Sequence, residues 1–143
     1  MLALLKLSYV TIAAELAMHF EQAQDHKRAT KYLQHAADNA VQRFAYGEAV
    51  KLARKGLYLL RTLPEDRERA ERELRLQLTL GVPLIASQGY AAPQVGGVYM
   101  RARELCRQLG ETTDVSEAVS KVFLKHNRIF IPEHQRFVKD AWV

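Results

Sequence analysis

Apolar side chains recur three and four positions apart through almost the whole of this chain, a spacing that lines them up on one face of an α-helix. Tyr9, Ile12, Ala13, Leu16 and Phe20 make a first stripe that ends near Gln24 and Asp25. Ala29, Tyr32, Leu33, Ala36, Ala40 and Phe44 make a second, broken at Tyr46-Gly47. A third runs through Ala49, Leu52, Ala53, Leu57, Leu60 and Leu63 and stops at Pro64, since proline disfavours the helical conformation in the residue before it. Ala and Leu number 19 each in 143 residues against 7 Gly and 4 Pro, a balance that favours helix over a turn-rich β fold.

A fourth helix is expected from near Glu65 to about Ile85. Leu74, Leu78 and Ile85 share one of its faces and Leu76, Leu80 and Leu84 another, so it is expected to be buried on two sides. Pro83 lies near its end, where its ring clashes with the carbonyl four residues back and can kink the helix. The loop Ser87 to Ala92 follows, and Pro93 suits the first turn of a fifth helix carrying Val95, Val98, Tyr99, Ala102, Leu105 and Leu109. Gly110 is its natural stop. Beyond it, Val115, Val119, Val122, Phe123, Ile129 and Phe130 allow one more helix, Ile129-Phe130-Ile131 an extended stretch instead, and Glu133 to Val143 a short amphipathic tail with Trp142. Short connections between such stripes make neighbouring helices antiparallel, so the expected class is all-α, built from stacked helical hairpins.

The formal charge is +5, from 21 Lys+Arg against 16 Asp+Glu, and the sequence pI is about 9.5. The densest charge run, Glu65 to Glu73, alternates signs. Glu65/Arg69, Glu68/Arg72 and Glu71/Arg75 all stand in the favourable i,i+4 order, which reads as a solvated helix face rather than a nucleic-acid stripe. The single cysteine, Cys106, excludes an internal disulfide and falls on the apolar repeat of its helix, so it reads as a small buried hydrophobe of a protein in a reducing cytoplasm. The opening Met1 to Leu7 lacks a basic n-region and a cleavage site, and no stretch reaches the length of uncharged apolar sequence that a membrane span needs.

Small and large residues fall at particular offsets. Leu16-Ala17, Phe20, then Ala29, Leu33 and Ala36 match the tetratricopeptide pattern, in which small side chains let two helices approach and large ones fill the space beside them. A weaker copy runs through Ala37, Ala40, Ala49, Ala53 and Gly56, and a third through Leu80-Gly81, Leu84, Val95, Tyr99 and Ala102. The anchors Ala29, Ala49 and Val95 stand 20 and 46 residues apart, where a regular repeat advances by about 34. The expectation is therefore an irregular tetratricopeptide-like solenoid over residues 1–114, with 115–143 as an extension of uncertain relation to it.

Ala14 to Ala23, Tyr32 to Ala37, Gly47 to Val50 and, above all, Glu73-Leu74-Arg75-Leu76-Gln77-Leu78-Thr79-Leu80-Gly81 resemble one family. Gly89-Tyr90-Ala91-Ala92-Pro93-Gln94-Val95 and Arg101 to Gly110 do so too. It is the tetratricopeptide-like helical region of large bacterial signal-transduction ATPases, often fused to adenylate/guanylate cyclase or protein-kinase domains. The resemblance covers about residues 10 to 114. It implies a regulatory region that an AAA-type or STAND-type ATPase module precedes and further repeats follow, and of which this chain would be a truncated piece or a short relative.

The residues of catalysis are not legible. G-x4-G-K-[ST] is absent, Gly96-Gly97 opens no strand-to-helix turn, and no segment matches cyclase carboxylates. His19, His26, His35, His126 and His134 form no i,i+4 pair, G-x-S-x-G is missing around Ser87, and Glu15 and Glu21 fall on different helical faces. His19 and His35 read as packed or half-exposed beside core stripes, and the Tyr90 to Val95 loop either as a recognition loop at a hairpin tip or, the favoured reading, as a spacer in which Tyr90 plugs the neighbouring helices. No enzyme activity, cofactor or metal is expected. The expected function is a non-catalytic protein-interaction and regulatory module. Repeat geometry puts Met18 and Glu21 on its groove, then Lys31, Gln34 and Asp38, then Arg75 and Thr79. The expected partner is a protein, a peptide or a neighbouring domain, with self-association through an exposed solenoid end. The alternative is a helical-repeat part of a transcription regulator that contacts nucleic acid.

Overall fold

The computed structural model describes residues 2–110, with side chains from Ile12 onward. These residues form five α-helices and no strand: α1 (Leu2–Gln22), α2 (His26–Gln42), α3 (Tyr46–Leu60), α4 (Arg67–Gln88) and α5 (Pro93–Gln108). The expected sixth helix, the extended stretch at Ile129 and the tail with Trp142 lie outside the described residues. No described helix is long and apolar enough to cross a membrane.

Each helix packs on the next in sequence, and α2 also packs on α4. The small residues do what their offsets predict. Ala17, Ala29 and Leu33 are buried together with Leu59, and Phe20, Tyr32 and Leu52 close over them. Phe20 stacks on Tyr32 with centroids 5.5 Å apart and planes 6° from parallel, and the Arg28 guanidinium lies over the Phe20 ring. Ala36, Ala49 and Ala102 are fully or almost fully buried, whereas Leu16 is only half-buried. Ile12, expected in the core stripe, is 48% exposed. Among the buried residues of α1 are Ala13 and Ala17, one turn apart, and a face centred on them turns Ile12 outward.

The two-sided burial of α4 holds. Leu76, Leu80, Leu84 and Ile85 join Ala53 and Leu60 of α3 and Val95, Val98 and Tyr99 of α5 in the largest cluster. Leu74 packs with Ala102, Leu105, Cys106 and Leu109, and Leu78 beside them. Ile85 thus sits on the Leu76 side rather than the Leu74 side. Pro83 lies inside the helix and is buried. The Ser87 hydroxyl donates to its carbonyl at 2.9 Å, and the helix continues to Gln88, so Ser87 is helical rather than the start of the loop.

The helix ends differ from expectation in an instructive way. α1 and α2 close with the same turn. Gln24 (φ 58°) and Phe44 (φ 60°) take the left-handed conformation. Their N–H groups donate to Glu21 O and Val41 O, and the following N–H groups of Asp25 and Ala45 donate to Phe20 O and Ala40 O. This is the Schellman pattern, which usually has glycine at the left-handed position. Phe44 therefore leaves the second stripe and stands 77% exposed, edge-on to Tyr46. The break falls there, and Tyr46-Gly47 opens α3 instead of ending α2. α3 likewise stops at Leu60, before a hydrogen-bonded turn that carries Leu63 to Pro64. Asp66 caps α4, accepting from Arg69 N–H at 2.8 Å, so that helix starts at Arg67. Gly110 (φ 66°) stops α5 as its sequence position implies.

Gly81 and Tyr99 bring α4 and α5 into close approach. A Cβ on Gly81 would lie 2.7 Å from Tyr99 Oη and 3.2 Å from its Cζ. Tyr99 is 4% exposed, and burial pushes its phenol well above the ordinary tyrosine range, with the charge of Tyr90 adding to the effect. Half-buried Tyr90 packs on the same cluster. Replacing Gly81 by Ala gains about 1 kcal/mol of helix propensity and meets an overpacking cost of about 1–3 kcal/mol. In urea unfolding, Gly81→Ala should lower stability in the native chain and raise it in a Tyr99→Phe background; equal effects in both would refute the close approach. Gln24→Gly should stabilise by about 0.5–1 kcal/mol, because the left-handed strain it relieves exceeds the added freedom of the unfolded chain. A lowered thermal midpoint would contradict that turn.

Candidate functional site

α2 and α4 run side by side in the same direction. Lys27 pairs with Glu68 at 3.1 Å, Thr30 Oγ1 accepts from Arg72 at 3.1 Å, and Asp38 meets Thr79 at 2.7 Å, so both chains advance together. Their outer edges bound an open groove of about 620 Å³. Lys31, Gln34 and Asp38 line it from α2, and Arg75 and Thr79 from α4. Five of the seven candidate residues therefore share one surface.

Met18 and Glu21 stand elsewhere. Met18 is 48% exposed on α1 and does not line this groove. Glu21 Oε2 lies 2.6 Å from Lys55 Nζ, an ion pair between α1 and α3.

The middle of the groove is a closed polar knot. Gln34 Nε2 donates to Asp38 Oδ1 at 2.9 Å and to Thr79 Oγ1 at 2.7 Å. Thr79 Oγ1 lies 2.7 Å from Asp38 Oδ1 and 3.0 Å from Arg75 O, and its single proton serves one of them at a time. An ionised Asp38 accepts only, so it fixes the Gln34 amide with its NH2 toward the carboxylate. That leaves Gln34 Oε1 buried with no hydrogen-bond partner among the described residues.

Toward the helix N-termini the groove is cationic. Arg72 is fully engaged: it reaches Glu68, the Lys27 carbonyl and the Thr30 hydroxyl. The expected Glu71/Arg75 pair does not form, because Glu71 turns to Arg67 at 3.1 Å. Exposed Arg75 and Lys31 make no ion pair among the described residues; Lys31 lies 5.9 Å from the Tyr32 ring centroid. Toward the C-termini the lining holds Val41 and Val82 beside exposed Gln42, and Leu78 stands at the level of the knot.

Sequence reasoning missed the apolar end and the double role of Arg72. Val41 and Val82 are buried with Ala40 and Ala49 and read as core. The only signal for Arg72 was its i,i+4 partner Glu68, which is indeed bonded at 3.2 Å. Half-buried His35 also lines the groove, tilted against Tyr32. Among the described residues no three His, Cys, Asp or Glu side chains converge as metal ligands would.

The chain matches no family model, no curated protein and no solved structure.

The Gln34–Thr79 and Asp38–Thr79 links cross between the two helices, whereas Gln34–Asp38 lies within α2; a neutral link is worth about 0.5–1.5 kcal/mol net and one to a carboxylate about 1.5–3 kcal/mol. Thr79→Val keeps the shape and removes the hydroxyl; it should destabilise by about 1 kcal/mol in chemical denaturation. Combined with Gln34→Leu it should cost clearly less than the sum of the two single changes. Strict additivity would mean that the knot does not couple α2 to α4.

Proposed function

We propose that this chain is a non-catalytic, irregular tetratricopeptide-like helical module that holds a segment of a partner protein in the groove between α2 and α4. The observation that carries this reading is the groove itself: two parallel helices, an open trough and two cations without ion partners among the described residues. Bonds that skip one helix support the stacked arrangement. Glu21–Lys55 joins α1 to α3, the Gln34–Asp38–Thr79 knot joins α2 to α4, and Arg54 donates to Gln94 at 3.0 Å to join α3 to α5. A stack that ties each helix to the next but one is how a solenoid propagates.

By the resemblance described above, the module would serve a cytoplasmic bacterial signalling protein of the ATPase or cyclase type. Filling the groove would then bias the attached domain. The alternative, a nucleic-acid contact, needs basic side chains free to displace counterions. Here Lys27, Arg28, Arg43, Lys55, Arg67, Arg69, Arg72 and Arg101 each face a carboxylate, which weighs against it. Self-association through α1, where Ile12 and Met18 are exposed, belongs to the same proposal.

Displayed random twelve-residue peptides selected on the full chain test the reading. Enriched peptides should be lost on Gln42→Trp, which fills the groove from an exposed position, and kept on Lys51→Trp on α3. Binders indifferent to Gln42→Trp, or no binders at all, would refute it.

A further inference from the structure

We propose that the segment taken by this groove is acidic at one end and apolar at the other, entering with a carboxylate side chain between Lys31 and Arg75. This rests on the groove reading above and adds to it the chemistry and polarity of the occupant.

Three observations fix that polarity. The first is the pair of cations. Lys31 and Arg75 are exposed and stand on opposite walls, each with no carboxylate in an ion pair among the described residues. Their neighbours are committed elsewhere: Glu71 to Arg67, and Glu68 to Lys27 and Arg72. An anion placed between them gains two charge-assisted bonds and breaks none.

The second is the polar knot that begins one helical turn past Lys31, where Gln34 holds Asp38 and Thr79. The Asp38 carboxylate, held by Gln34 and Thr79, comes next and repels a second acid. The occupant's carboxylate is thereby confined to the Lys31 end, and specificity rests on repulsion as well as attraction.

The third is the apolar floor that begins with Leu78 at the knot and runs on to Val41 and Val82, beside exposed Gln42. Along their helices, Lys31 to Val41 and Arg75 to Val82 span about 10–15 Å at 1.5 Å per residue. An extended strand covers that length in about three or four residues. The inferred occupant is therefore an extended segment with an Asp or Glu three or four positions from a Leu, Ile or Val.

The test is to sequence the pool of terminally blocked twelve-residue peptides selected on the full chain, and on a Lys31→Glu/Arg75→Glu variant whose helical circular dichroism is unchanged. Blocked ends remove any terminal carboxylate. Peptides from the native chain should carry the acid-to-apolar spacing and bind the charge-reversed variant at least tenfold more weakly. The variant's own pool should carry Lys or Arg at the position of the acid. Peptides without an acidic preference that Gln42→Trp still abolishes would overturn this inference and leave the groove reading standing. An empty pool, or one untouched by Gln42→Trp, would overturn both.

Discussion

Everything in this fold depends on α3 reaching deep between α2 and α4, and small side chains make that approach short. Ala49, Ala53 and Gly56 are buried on α3 at four- and three-residue steps, facing buried Ala37 and Ala40 of α2 and Leu76 of α4. At Gly56 three helices meet: a Cβ there would stand 3.0 Å from Leu76 Cδ1 and 3.7 Å from Leu33 Cβ. Dispersion and apolar burial both reward such close packing, and each added methyl would push the helices apart. Because α3 sits behind them, α2 and α4 come side by side in the same direction. The groove is the outer consequence of that inner contact.

Polar residues then decide how firmly the two groove walls are held. Apolar packing is non-directional and fixes little of the register between α2 and α4. Arg72 on the Lys27 carbonyl and Thr30 hydroxyl fixes one point, and the Gln34–Asp38–Thr79 knot fixes a second about two turns further on. A third hold lies behind, where Arg101 meets Glu73 at 2.6 and 3.0 Å in a bidentate pair between α5 and α4. The hydrogen bond to Glu73 is the largest influence on Arg101 and raises the pKa of a guanidinium that is charged in any case.

Much of this architecture was legible because it is written in side-chain size. The stripes through Ala29, Leu33 and Ala36, through Ala49 and Ala53, and through Val95, Tyr99 and Ala102 are all buried, and Pro93 and Gly110 bound α5 as their chemistry requires. The end of α1 near Gln24 and Asp25 was legible, but the turn after α2 was not, because Phe44 occupies a left-handed position where glycine is the usual signal. Phe44 even continued the apolar period and so concealed the end of its own helix. In the groove, repeat geometry found the α2 and α4 residues but also named Met18 and Glu21, since it treated α1 as equivalent to α2. Among the described residues α1 packs chiefly on α2, and Glu21 is drawn to Lys55 instead. The apolar end escaped notice because buried valines on a groove floor look the same in sequence as valines in a core.

The charge pattern on α4 shows how one local choice creates a site. Glu71 has an arginine four residues before it and another four after. The order Glu-then-Arg at i,i+4 is intrinsically the better one, yet Glu71 bonds to Arg67. Both orders are worth only a few tenths of a kcal/mol on an exposed helix, so tertiary surroundings outweigh the preference. Arg67 also donates to the Leu109 carbonyl at the end of α5, a contact that holds its guanidinium near Glu71. That contact exists because α5 returns antiparallel along α4 and brings its C-terminal carbonyls beside Arg67. The consequence one turn further along the same face of α4 is that Arg75 keeps its charge unspent among the described residues, across the groove from Lys31 and Gln34. The cationic mouth of the groove is thus a product of how α5 ends, two helices away from the wall that Lys31 occupies.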